Sequence, residues 1–158
     1  YWRFLRPTWQ QKVGDDWRLF STKEKLLTAL SGYQRALLTL GQVSPKELTF
    51  LKSDQHIWLR TAVQPPHPLP SHVNWIKAIG PFNEACELAL LKQHHIQVIA
   101  SKNSGGSATE AKLAAARTLK VPVFMLQRPQ IKGPTEKDFG ALIDRLQAWA
   151  ETPMAVIA

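Results

Sequence analysis

Cysteine is nearly absent from this chain: Cys86 stands alone among 158 residues, so no disulfide can form within it and a reducing, cytoplasmic setting is expected. No apolar run approaches the roughly 18 residues that a membrane-spanning helix needs, and no charged-then-apolar leader opens the sequence; no membrane partner is expected. Acidic residues are scarce, 12 against 20 lysines and arginines, for a formal charge of +8. Such a balance draws a protein to something acidic: nucleic acid, anionic lipid or a polyanionic small molecule. The basic residues are spread along the chain with no run of five, and there is no RNP-like strand and no zinc-finger spacing, which disfavours nucleic acid. The five histidines supply no metal-ligand pattern. His94 and His95 suit a helix end, and His67 and His72 lie among prolines without a third ligand. Cys86, near Ala89 and Leu90, reads as a small buried apolar residue.

What is present is a regular alternation of strand-like and helix-like segments. With 44% hydrophobic residues the chain can bury one core of ordinary size. Strands are predicted at Trp17 to Phe20, Ala36 to Leu40, His56 to Val63, Trp75 to Ile79, Ile96 to Ala100 and Val121 to Leu126. Capping boxes at Ser21-Thr22-Lys23-Glu24 and Ser44-Pro45-Lys46-Glu47 predict helices after them. Further helices are expected from Asn83 to His94, after Gly106, and from Thr135. The last repeats Phe139, Leu142, Ile143, Leu146 and Trp149 as an apolar stripe that should pack on a core. This order predicts an α/β fold with a doubly wound, mainly parallel sheet, a Rossmann-like lobe over residues 17–152. Residues 1–16 read as a linking segment and 153–158 as a tail. The prolines between Gln64 and His72 make a stiff extended connection.

Ligands of such sheets lie beyond the carboxyl ends of the strands, where strand order switches. The segment predicted there with most chemistry is Ser101-Lys102-Asn103-Ser104-Gly105-Gly106-Ser107-Ala108-Thr109-Glu110-Ala111-Lys112, a buried strand breaking into a glycine turn and then a helix. Gly105 and Gly106 permit a sharp turn and close backbone approach. The amides of the turn, with Lys102 and Lys112 beside them, suit an anion. Two readings stay open, an anion site or a strand-to-helix turn with solvated lysines, because the G-x-G-x-x-G fingerprint is missing. Arg128 follows a strand and is fixed by Pro129, placed either for a phosphate or carboxylate or for a salt bridge to a helix. Phe82, after Gly80-Pro81, is either a stacking surface or a core residue at a helix start.

Gly80-Pro81-Phe82, Lys102 to Gly106, Thr109-Glu110-Ala111-Lys112-Leu113, Ala115-Ala116-Arg117 and Val121-Pro122-Val123 through Arg128-Pro129 resemble, in order and spacing, the carboxyl-terminal half of the precorrin-6A reductase family. Arg3-Phe4-Leu5-Arg6-Pro7-Thr8-Trp9 resembles the segment joining its halves. The resemblance implies NADPH-dependent reduction of precorrin-6A, or its cobalt form, to the 6B form in cobalamin biosynthesis. It also implies an anionic tetrapyrrole substrate, two Rossmann-like lobes with the site between them, and an amino-terminal lobe missing before Tyr1. On that footing Lys102, Asn103, Ser104, Gly105, Gly106, Thr109, Lys112, Arg128, Gly80, Pro81 and Phe82 are the candidate substrate- or cofactor-binding residues, Trp2 and Trp9 are placed to face the other lobe, and no catalytic residue is named. A non-catalytic lobe that binds anionic ligands or partners is the alternative.

Overall fold

A computed structural model describes residues 3–129, 135–136 and 138–151. The elements are β1 (Arg3–Phe4), β2 (Trp17–Phe20), α1 (Lys23–Ala29), β3 (Arg35–Thr39), α2 (Pro45–Leu48), β4 (His56–Thr61), β5 (Val73–Lys77), α3 (Glu84–Gln93), β6 (Val98–Lys102), α4 (Ala111–Leu119), β7 (Val123–Leu126), β8 (Thr135–Glu136) and α5 (Phe139–Glu151). Contacts divide the chain into two units, one of residues 8–129 and one of residues 1–7 with 130–158.

The larger unit holds a six-stranded sheet in the order β2-β7-β6-β3-β4-β5, with every neighbouring pair parallel. This is the α/β, doubly wound, Rossmann-like lobe that the alternation of elements predicts. The strands are apolar on both sides because both sides are covered. Along β3, Ala36 and Leu38 enter the core beneath α1, while Leu37 between them enters the opposite core with Leu91 of α3 and Leu113, Ala115 and Ala116 of α4. β6 and β7 alternate in the same way, Val98, Ala100 and Phe124 to the first core and Ile99, Val123 and Met125 to the second. Each large apolar side chain so buried contributes about 1.5 to 3 kcal/mol.

From β3 the chain runs outward through β4 to β5, then returns so that β6 lies on the other side of β3. Two neighbouring strands whose connections leave in opposite directions open a crevice beyond their carboxyl ends. Here the crevice lies beyond Thr39 and Lys102, whose strands pair as Thr39 with Ser101.

Several local expectations are refined. Ser44 caps α2 with a full capping box, its hydroxyl accepting from Glu47 N and the Glu47 carboxylate from Ser44 N. At α1 the cap is Thr22, accepting from Lys25 N, because the helix begins one residue later than the predicted box. Thr135–Glu136 is strand β8, parallel to β1, and the helix predicted from Thr135 begins at Phe139. The stripe of α5 is expected to pack on a core, yet Phe139, Leu146 and Trp149 are exposed. Cys86 is exposed as well, since α3 turns Glu87 and Leu91 inward and leaves Cys86 on its outer face. Trp9 is buried within the larger unit, which removes it from the residues expected to face another lobe. Trp2 lies outside the described residues.

Candidate functional site

The carboxyl ends of β3, β4 and β6, the segment after β5 and the start of α4 enclose a cleft of about 380 Å³. Lys102, Ser104, Thr109, Lys112, Gly80 and Phe82, all named from the sequence, line it, as do Gly41 and Arg60. Gly41 has φ +78, a conformation that side chains rarely adopt, at the turn after β3 beside Lys102 Nζ. Gly80 brings its own segment against the next one, since a Cβ would meet Ala108 O at 3.1 Å. Phe82 N donates to that same carbonyl at 3.0 Å.

The turn after β6 is held from below. Gly105 and Gly106 both take positive φ, +65 and +84, a conformation costly for other residues. Trp9 N donates to Asn103 Oδ1 at 2.8 Å, Asn103 Nδ2 donates to Trp9 O at 3.1 Å, and Trp9 Nε1 donates to Gly106 O at 2.9 Å. Arg128 reaches back onto the turn. Its Nε donates to Asn103 O at 2.7 Å and its Nη2 to Ser104 O, so the guanidinium staples the turn through backbone carbonyls. Asn103, Gly105, Gly106 and Arg128 therefore shape the turn, while Pro81, like them, is outside the cleft lining. Ser104 Oγ and Thr109 Oγ1 lie 3.5 Å apart at its wall.

Lys112 is far from a solvated helix lysine. It is 3% exposed, its Nζ donates to Thr109 O at 2.8 Å and lies 4.7 Å from the centre of the Trp9 ring. Burial pushes its pKa down to about 7, the positive charges of Arg60 and Lys102 push the same way, and Glu87 opposes them. A buried amine loses the hydration that favours its charged form, and like charges add to the cost.

Sequence reasoning missed Arg60 and Glu87. Arg60 Nη1 donates to Glu87 Oε1 at 2.6 Å with both side chains buried, and the guanidinium sits 4.4 Å from the centre of the Phe82 ring. The ring is thus half-buried against a cation on one face. The available signal was a charged residue inside a strand reading as buried on both faces, because such a charge must find a partner. Lys102, Lys112 and Arg60 thus line one cleft, with the Glu87 carboxylate paired to Arg60. Among the described residues no group of three His, Cys, Asp or Glu side chains is placed to hold a metal ion, and no described helix is long and apolar enough to cross a membrane.

Comparison with known proteins identifies the family of the chain. A profile of the family Precorrin-6x reductase CbiJ/CobK matches residues 1–150. The chain belongs to the precorrin-6x reductase family. It is 38% identical over 136 residues to a precorrin-6A reductase of Rhodococcus erythropolis, covering 83% of this chain and 53% of that protein. It is 36% identical over 149 residues to one from a Sinorhizobium species, 91% of this chain and 56% of the relative. A solved structure titled CobK precorrin-6A reductase superimposes with a TM-score of 0.81 at 29% identity, covering 97% of this chain and 62% of that one. The chain spans about half the length of these curated relatives.

Proposed function

We propose that this chain supplies the anion-binding wall of an NADPH-dependent reductase that converts precorrin-6A, or its cobalt form, to the 6B form in cobalamin biosynthesis. The supporting observation is the cation-lined cleft at the sheet's switch point in a chain of the precorrin-6x reductase family. A tetrapyrrole intermediate bearing acetate and propionate groups, and a dinucleotide bearing phosphates, both present the charge that Lys102, Lys112 and Arg60 complement. Among the described residues, Arg60 keeps unused donors at the cleft and Lys112 is buried as an amine without a carboxylate within bonding distance, so the residues present fit either kind of anion.

The nicotinamide, when bound, supplies the hydride, and the protein supplies placement and electrostatics. Lys102 and Arg60 would bind anionic groups, and the stapled turn would hold Ser104 and Thr109 as neutral donors at a fixed distance. Lys112 Nζ, with its pKa near 7, holds a proton that is easily released at neutral pH, the strength a general acid needs. A cleft open on one side does not exclude water, and hydride transfer requires that exclusion. A second wall, the amino-terminal lobe implied by the resemblance, belongs to this reading.

The test is to purify residues 1–158 and follow NADPH oxidation with precorrin-6A, with and without an added amino-terminal half from a full-length relative. Little turnover alone and restored turnover on addition are expected. Full activity without the addition would move the site, and binding without rescue would favour a non-catalytic lobe.

A further inference from the structure

Arg60 is an unusual occupant of a central strand. It belongs to β4, between neighbours on either side, and is 7% exposed. A guanidinium carries five N–H donors. Among the described residues Glu87 is its only hydrogen-bond partner, through Nη1. Phe82 covers one face of the group, and the side chain lines the cleft. On the other side of the ion pair, Glu87 Oε2 is buried with no hydrogen-bond partner among the described residues. A buried ion pair contributes little stability unless its remaining donors and acceptors are satisfied, and a pair left half satisfied is a costly thing to keep in a core. Hydrophobic residues of similar volume would fill the same space at lower cost.

We infer that Arg60 is a ligand-binding residue of the cleft, a fork held by Glu87 and Phe82 so that its free edge takes a carboxylate or phosphate oxygen pair of the bound molecule. Glu87 is then a positioning residue. This rests on the proposed function for the identity of the anion and goes beyond it in assigning the recognition to β4 and α3, outside the motifs that carry the family resemblance. The arrangement explains why the pair is tolerated: the anion completes the donor set of Arg60, and the carboxylate keeps the empty cleft from carrying three unopposed cations. An arginine suits this task where lysine does not, because its planar fork meets two oxygens at once.

The position of Glu87 also ties it to Lys112. The charged groups around that amine are Arg60 from β4, Lys102 from β6 and Glu87 from α3, with the Thr109 carbonyl and the Trp9 ring completing its surroundings. Of these charges Glu87 alone favours the protonated amine. Removing its charge should therefore move the pH at which Lys112 loses its proton downward.

The experiment measures binding of two probes to residues 1–158 by fluorescence and calorimetry: uroporphyrin I for carboxylates and NADP+ for phosphates. Arg60→Lys is expected to weaken the probe that occupies the fork by roughly tenfold, as loss of one charge-assisted contact, and the probe affected identifies the oxygen pair. Should the single change unfold the chain, the double variant Arg60→Met/Glu87→Met removes both charges without stranding either. It should melt cooperatively and lose the same binding. Glu87→Gln is expected to keep the fold and to shift the pH at which binding fades downward, a change that a purely structural glutamate would not produce. If the wild type binds a probe and both Arg60 variants bind it equally, the inference fails while the proposed function stands. If the wild type binds neither probe, both fail.

Discussion

Replacing Lys112 with methionine keeps an unbranched stem and removes the buried charge, and the result should be a more stable fold. The lysine falls from an ordinary value of 10.5 to about 7 in the folded chain. At about 1.4 kcal/mol per unit, the folded state disfavours the charged amine by about 5 kcal/mol relative to the unfolded chain. The unfolded chain keeps this proton up to its own pKa near 10.4, while the folded chain releases it above about 7, so between those limits the unfolded state binds more protons and wild-type stability climbs with pH. The methionine variant has no such dependence. Its advantage should be full below pH 7, shrink by about 1.4 kcal/mol per pH unit above it, and nearly vanish by about pH 10.4. Loss of the donor to Thr109 O would offset about 1 kcal/mol of that gain. Urea melts of both proteins near pH 6, 8 and 10 read the difference directly. An advantage of constant size at all three, or a less stable variant near pH 6, would show that Lys112 is neither desolvated nor crowded as its surroundings imply.

Lys102→Ala should leave the unfolding free energy from urea melts within about 0.5 kcal/mol of wild type, because the side chain is exposed, while weakening uroporphyrin or NADP+ binding roughly ten- to a hundredfold; unchanged affinity at moderate salt would return it to ordinary surface. Gly106→Ala, at φ +84 and ψ 154, should cost about 1 to 3 kcal/mol, read as a lowered melting midpoint. Arg128→Ala should loosen the turn over residues 103–107 and cost about 1.5 to 3 kcal/mol, seen as faster amide exchange there; exchange confined to other segments would argue against the staple.

The frame of the fold was legible because strands buried on both faces announce themselves as short, β-branched runs and because Ser44-Pro45-Lys46-Glu47 carries its helix start in four residues. The turn at Gly105 and Gly106 was legible for a related reason, since two adjacent glycines just past a strand admit the positive φ that other residues resist. What was hidden depends on adjacency across the sequence. Arg60 and Glu87 are 27 positions apart, and nothing local links them; only the placement of β4 beside β3, with α3 packed over it, brings a strand arginine to a helix carboxylate. Trp9 shows the same limit, because its partners are Asn103 and Gly106, nearly a hundred residues away. Cys86 was misjudged for a simpler reason: in a short helix with weak amphipathic contrast, which side faces inward is set by the neighbours that the helix meets.

The pairing of β2 with β7 joins Trp17 to Val123, an interval that a growing polypeptide crosses only after most of the larger unit has been made. During vectorial synthesis β3, β4 and β5 can associate early, while β2 waits as an unpaired edge until β7 has left the ribosome exit. Contacts so distant in sequence carry a loop-closure cost before they return any energy. The Arg128 bonds to the carbonyls of Asn103 and Ser104 can form only after β7 has been made. The outer pair of the sheet is therefore the one whose partners are separated longest in synthesis, and that interval exposes the β2 edge to mispairing.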